Sequence, residues 1–457
     1  MNHQNTVNII GAGLAGSEAA YHIIRHGIPV NLFEMRPVLQ TKAHESSLFA
    51  ELVCSNSLRG ASIQNAVGLL KEELKICDSL IMKAALNSSV PAGGALAVDR
   101  LQFSQYIDNF LRNHPLVTVH IIEVTDFPNF SSQNPCIVAT GPLTSLKLTE
   151  QIEKLTGSQN LAFFDAVSPI VYNESLEHKK MFKQSRYDKG EGQDYWNIPL
   201  TKELYYQFVE AVKCAEKYSG NIAVENDNLE KLRPFEGCMP IEDMIERGTD
   251  VLRFGPFKPV GLNDPNNPIR PYAVLQLRQD DKAGQTWSMV GMQTRMKRAE
   301  QDKIFRMLPG LEKVEFVRFG TVHRNTFIES PKCLNATLEF RDKEGLFFAG
   351  QITGVEGYVE STAAGLVAGI NAARMVQGKD CIKFPISSAI GALLNYITDV
   401  ERKNFQPMNI SYGIMPSYFA NKPAKKTKTS KKDRREATAE LALKDLREFL
   451  REKIQRP

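Results

Sequence analysis

The chain has 457 residues, 42% of them hydrophobic and 24% charged, which excludes a disordered or fibrous polymer and leaves room for two domains. Its net charge of +4 is uneven, because residues 422–457 carry 13 Lys and Arg against 6 Asp and Glu, leaving the rest at −3. Seven scattered cysteines without a C-x-x-C pair argue against a disulfide framework or a zinc knuckle, no apolar run approaches about 20 residues, and no signal-peptide pattern opens the chain, so a cytoplasmic protein without a membrane span or a metal site is expected.

The first element pattern, TVNIIGAGLAGSEAAYHIIRHGIPVNLFE, reads as strand, helix and strand. An apolar strand over Val7–Ile10 runs into Gly11-x-Gly13-x-x-Gly16, a helix follows to Gly27, and the second strand ends on Glu34. Such glycines allow a tight turn and close approach of the backbone to a pyrophosphate, and the helix N-terminus offers its N–H groups to the phosphates. Glu34, 18 residues beyond Gly16, stands where an acid accepts hydrogen bonds from a ribose. These parts together specify a dinucleotide site.

Next comes AELVCSNSLRG, residues 50–60, in which Cys54 precedes a polar run that reads as a turn and then the start of a helix. Further on, CIVATGP (136–142) is an apolar strand ending at Gly141, and GLFFAGQITGVEGYVESTAAGLVAG (345–369) is a strand ending at Gly350-Gln351 before a glycine-rich turn and a small-residue helix. Strand-to-glycine segments of this kind return to the first βαβ unit in glutathione-reductase-like flavoproteins, so the dinucleotide is read as FAD rather than NAD. The fold class is therefore α/β, with a discontinuous FAD-binding Rossmann domain and an inserted α+β domain. The boundaries are placed at 1–150 and 325–421 for the two parts of the FAD domain and at 151–324 for the insertion. Within the insertion, AVLQLRQ and WSMVGMQT read as strands and TRMKRAEQDKIFRMLPG as a helix stopped by Pro-Gly. Residues 422–457 read as a basic linker and a final helix whose Leu443, Leu446, Leu450 and Ile454 recur at helical spacing. The linker is read either as a solvated spacer or as an arm for RNA phosphates.

In order along the chain, GAGLAGSEAA, FEMRP, AELVCSNSLRG, PAGGALAVDR, FEGCMPIE, RFGPFKPVGL, HRNTFI and AGQITGVEGY together resemble the folate- and FAD-dependent tRNA (uracil-5-)-methyltransferase family over residues 7 to about 418. The resemblance implies an enzyme that forms 5-methyluridine at T-loop uridine 54 of tRNA. The carbon would come from 5,10-methylenetetrahydrofolate and the reducing equivalents from NAD(P)H, both reaching the base through FAD. A related branch acts on ribosomal RNA, and a tRNA-wobble-modifying flavoprotein shares the N-terminal site. No obligate protein partner is evident. The chemistry calls for a thiolate, because addition of sulfur to carbon 6 of uracil makes carbon 5 nucleophilic. On the resemblance, Cys238 in FEGCMP matches the cysteine assigned to that attack. Cys54 matches the one that lies over the flavin and holds or shields the methylene. Glu356 and Tyr358 are candidates for removing the carbon 5 proton, His323, Arg324 and Asn325 for holding folate, and Arg295, Lys297 and Arg298 for meeting RNA phosphates. The remaining cofactor-binding candidates are Gly11, Gly13, Gly16, Glu34, Gly141, Gly350 and Gln351.

Overall fold

The structure, a computed structural model, describes residues 5–41, 43–157, 161–218, 239–403, 405–416 and 430–454, except the side chains of 161–165, 323 and 324. Its first elements are β1 (Val7–Ile10), α1 (Leu14–Ile24) and β2 (Val30–Glu34), the strand, helix and strand read from the sequence. Ile9 and Ile10 are successive residues of β1 and both are buried, so the strand is covered on both faces.

At residues 55–60 the expected helix start is absent, and Ser57–Gly60 forms strand β3 instead. After it come α2 (Ala66–Ile76), α3 (Leu80–Asn87), β4 (Ser89–Val90) and β5 (Ala95–Val98), with β3 and β4 each antiparallel to β5. Two features override local helical preference here. Arg59 takes a left-handed backbone, φ 64°, which a right-handed helix does not admit, and Lys71 Nζ on α2 donates to the carbonyls of Leu58 at 2.8 Å and Gly60 at 2.9 Å.

The chain then makes α4 (Arg100–Arg112), β6 (Val117–Ile121), β7 (Cys136–Val138) and α5 (Leu146–Thr156), and leaves along β8 (Leu161–Ala166). Beyond β8 lie β9 (Ile170–Tyr172), β10 (Phe182–Lys183), β11 (Tyr195–Leu200), α6 (Lys202–Cys214), α7 (Ile241–Glu246), α8 (Val251–Phe254), β12 (Ala273–Gln279), β13 (Thr286–Met289), α9 (Arg298–Phe305) and β14 (Phe316–Arg318). Their strands form a six-stranded antiparallel sheet in the order β10-β11-β12-β13-β9-β14, over a separate apolar core that includes Tyr205, Phe208, Leu275 and Phe305. The return strand, β15 (Val322–Phe327), pairs antiparallel with β8.

The last part holds α10 (Ser330–Cys333), β16 (Leu346–Phe348), α11 (Tyr358–Val376), α12 (Ala389–Thr398) and α13 (Lys431–Lys453). β16 completes a five-stranded sheet in the order β16-β7-β1-β2-β6, in which every pair is parallel. Helices α1 and α11 lie side by side with little room between them: a Cβ added at Gly365 would fall 2.2 Å from the Ala15 carbonyl oxygen, and one at Gly369 would fall 2.7 Å from that of Ala19. Because both close approaches advance by four residues, the helices run parallel, and both N-termini face the carboxyl ends of the strands. α13 docks through Ala439, Ala442 and Leu446, and its Phe449 ring sits 5.0 Å from that of Phe384.

Candidate active site

The turn from β1 into α1 is shaped by glycine. Gly11 has φ +98°, and a side chain there would strike the Ala139 carbonyl oxygen at 2.6 Å. Gly16 plays a different part from its neighbours, since a Cβ there would lie 1.9 Å from the Gly11 carbonyl oxygen, so it permits the helix to pack on the turn. In front of Gly13 and Gly141 the space is open, and an added Cβ would meet nothing within 4 Å. Gly11, Gly13, Glu34, Gly141, Gly350 and Gln351 all line one cleft, about 1010 Å³ including its mouth. Gly13 is the N-cap of α1 and brings no side chain to it, so the first N–H groups of the helix remain available to phosphate oxygens. An open floor of glycine backbone under a helix N-terminus fits a dinucleotide pyrophosphate.

At one end of the cleft Glu34 accepts hydrogen bonds from Ala12 N at 3.1 Å, Arg36 N at 3.1 Å and Arg36 Nε at 2.9 Å. Burial works against its charge, but the Arg36 guanidinium and these N–H groups outweigh burial and hold the carboxyl below its ordinary range. Arg36 also reaches Glu51 Oε2 at 3.3 Å, and Glu51 accepts from Ser46 N and Ser46 Oγ. His44 lines the same end, where burial and then the Arg36 charge push it down to about 4, so its ring is neutral. The sequence assigns no role to Arg36, His44 or Glu51. Arg36 and Glu51 carry a signal there only as parts of FEMRP and AELVCSNSLRG, and His44 carries none, because the loop that bears it has no periodic pattern.

At the other end Tyr358, the first residue of α11, lines the cleft, and its hydroxyl accepts N–H hydrogen bonds from Cys54 at 2.8 Å and Ser55 at 3.1 Å. Burial, and next the proximity of Cys54, push the Tyr358 phenol up, so it stays protonated and is a poor base. The Cys54 segment is held from three more directions. Arg100 on α4 donates to Leu52 O, Arg318 on β14 donates to Val53 O at 3.1 Å and Cys54 O at 3.4 Å, and Arg278 on β12 donates to Ser55 Oγ at 2.7 Å and Asn56 Oδ1 at 2.9 Å. Asp280 pairs with Arg100 at 2.9 Å. Burial works against the charge of Arg278 and of Arg318, yet a guanidinium remains protonated throughout the biological range.

Among the other candidates, Glu356 is buried and accepts from Gln351 Nε2 at 2.8 Å. Asn325 is buried on β15, and the side chains of His323 and Arg324 lie outside the described ones, as does Cys238 altogether. Of the three basic residues expected to meet RNA phosphates, Arg295 pairs with Asp243 at 2.7 Å and the exposed Lys297 with Glu216 at 2.7 Å, and only Arg298 belongs to α9. Among the described residues no group of three His, Cys, Asp or Glu side chains is arranged to hold a metal ion, and no helix is long and apolar enough to cross a membrane.

The family model described as glucose inhibited division protein A matches residues 6–380. A Listeria innocua protein, methylenetetrahydrofolate--tRNA-(uracil-5-)-methyltransferase TrmFO, is 53% identical over 440 residues, covering 96% of this chain and 98% of its own. The protein of the same name from Bacillus velezensis is 54% identical over 413 residues, covering 90% of this chain and 92% of its own. Among solved structures, Aquifex aeolicus GidA superposes with a TM-score of 0.68 at 18% identity, over 97% of this chain and 73% of its own, a likeness of fold.

Proposed function

The chain belongs to the glucose inhibited division protein A family and, within it, to the folate-dependent tRNA (uracil-5-)-methyltransferases, and we propose that its site methylates carbon 5 of the T-loop uridine 54 of tRNA. The carbon donor is 5,10-methylenetetrahydrofolate. FAD, reduced by NAD(P)H, supplies one-carbon relay and hydride chemistry when bound. We place the activity in the cytoplasm, without an obligate protein partner, with residues 151–324 as an insertion between two parts of the FAD domain.

Each group then has a task. The backbone at Gly11, Gly13, Gly141 and Gly350, with the N-terminus of α1, holds the pyrophosphate, while Gly16 lets the helix come close enough to do so. Glu34, oriented by Arg36, would accept from the adenosine ribose, and Gln351 and Tyr358, which line the same cleft, would contact the rest of the cofactor. Cys238 adds to carbon 6 of the uracil, and the electron pair driven to carbon 5 makes that carbon the nucleophile. Cys54 handles or shields the transferred carbon. Tyr358 stays protonated and orients the Cys54 backbone, which leaves Glu356 as the carboxyl proposed to take the carbon 5 proton.

The observation that carries this reading is the Tyr358 hydroxyl, which joins the Cys54 segment to the wall of the glycine-floored cleft. The test is an unmodified tRNA transcript and, separately, a ribosomal RNA fragment, each incubated with methylenetetrahydrofolate and NAD(P)H and digested for 5-methyluridine. Methylation of the tRNA alone is the result expected, and none in either RNA defeats the reading. Cys238→Ala should abolish methyl transfer and keep flavin bound; turnover retained in that variant would remove Cys238 as the nucleophile.

A further inference from the structure

Three guanidinium groups converge on one cysteine segment. Arg100, Arg278 and Arg318 come from α4, β12 and β14, and between them they engage every residue from Leu52 to Asn56. A backbone segment of five residues needs no such set of cations to hold it, because neutral donors would satisfy the same carbonyl and hydroxyl oxygens at lower desolvation cost. The charges are also poorly balanced. Asp280 answers Arg100 at 2.9 Å, whereas among the described residues Arg318 is paired with Glu45 at 3.9 Å, whose side chain is 64% exposed and so screened by water. Glu51, three residues before Cys54, is taken up by Arg36. Tyr358, facing the segment from α11, is protonated and adds no charge. Two buried N–H donors of the clasp, Arg100 Nη2 and Arg318 Nε, have no hydrogen-bond partner among the described residues. An excess of buried positive charge with donors to spare calls for an anion, and the side chain at its centre that can become one is the thiol.

We propose that Arg100, Arg278 and Arg318 are positioning residues that hold the Cys54 thiol as a thiolate at neutral pH, so that this sulfur is nucleophilic before substrate arrives. An ordinary thiol, with a pKa of about 8.5, is only a few per cent ionised at neutral pH, and cationic neighbours lower that value. Arginine suits the role because it stays charged when buried and its planar fork binds the segment while projecting charge onto it.

The inference concerns the state of one sulfur and is independent of which RNA is methylated, so it can fail while the functional reading stands, and the reverse. The test is the pH dependence of iodoacetamide alkylation on the flavin-loaded protein, with Cys54 followed by peptide mapping. Its midpoint should lie at least about one pH unit below the ordinary 8.5. Arg318→Gln should raise the midpoint by about one unit, and Arg318→Lys, which keeps the charge and loses the fork, by less than about a third of that. A wild-type midpoint at or above the ordinary thiol value overturns the proposal even if the variants fail to fold. So does an unchanged midpoint in Arg318→Gln, or an equal shift in both variants, which would reduce the clasp to shape alone.

Discussion

Tyr358 joins two parts of the chain separated by 304 positions, and its single oxygen satisfies the backbone donors of both Cys54 and Ser55. Replacing it with phenylalanine keeps the ring in the cleft wall and removes that acceptor, leaving two part-buried N–H groups without their partner. Tyr358→Phe should therefore lose about 1–3 kcal/mol in urea unfolding while keeping its flavin, and a loss near zero would mean that water replaces the hydroxyl freely. Neither this bond nor the arginine clasp is legible in the sequence, although Cys54 and Tyr358 both stand out in it as candidates. Arg318 meets Cys54 across 264 positions and Arg278 meets Ser55 across 223, and a pairing at that separation leaves no periodic trace in either segment. Glu34, in contrast, is readable because the turn, the helix and the acid lie within one short unit whose spacing is fixed by the geometry of strand and helix.

Between elements, the packing of α1 against α11 sets the site, because their N-termini form its floor and one wall. Gly365 is the point of closest approach, and an alanine there would put its Cβ 2.2 Å from the Ala15 carbonyl oxygen. Backbone cannot give way as a flexible side chain would, so Gly365→Ala should cost about 1–3 kcal/mol and release flavin, read as a lower melting temperature and a colourless protein; retained flavin at full stability would show that the two helices can part without harm. A second junction couples α2 to α12. Glu73 is fully buried and accepts from Ala389 N at 2.7 Å and Ile390 N at 2.9 Å, yet burial pushes its carboxyl up to about 8. The folded protein therefore holds a proton that the unfolded chain releases near pH 4, so wild-type stability should fall as pH rises from about 5 to 8, by up to about 1.4 kcal/mol per unit. Glu73→Gln removes that slope, and parallel stability profiles for the two proteins would sink the assignment. The elements themselves are legible wherever local pattern and tertiary need agree, as in β1, β12 and α13. β3 reads as a helix start because its partner, β5, lies some forty residues later and its anchor, Lys71, belongs to the following helix.

Over the whole molecule, segments from both parts of the FAD domain line the cleft, while α13 packs elsewhere on that domain. A capping box of Ser430 and Asp433 fixes the first turn of α13, and that turn is tied to the loop after β3: Gln64 Nε2 donates to Glu436 at 2.8 Å and Arg435 Nη1 donates to Gln64 O at 3.3 Å. Lys431 and Lys432 belong to that first turn, so they stand beside the loop after β3. The body carries a net −3, which disfavours RNA at long range, and the +7 of residues 422–457 is the counterweight. If that charge serves the substrate, changing Lys422, Lys425, Lys426, Lys428, Lys431 and Lys432 to glutamine should weaken tRNA binding most at low salt. The slope of log affinity against log salt should become shallower by on the order of one for each phosphate that a lysine no longer neutralises. Flavin content and the melting temperature should not move, because Ala439, Ala442 and Leu446, which dock the helix, are untouched. An unchanged slope would return the segment to the role of a solvated spacer and leave the recognition of RNA to the body of the protein.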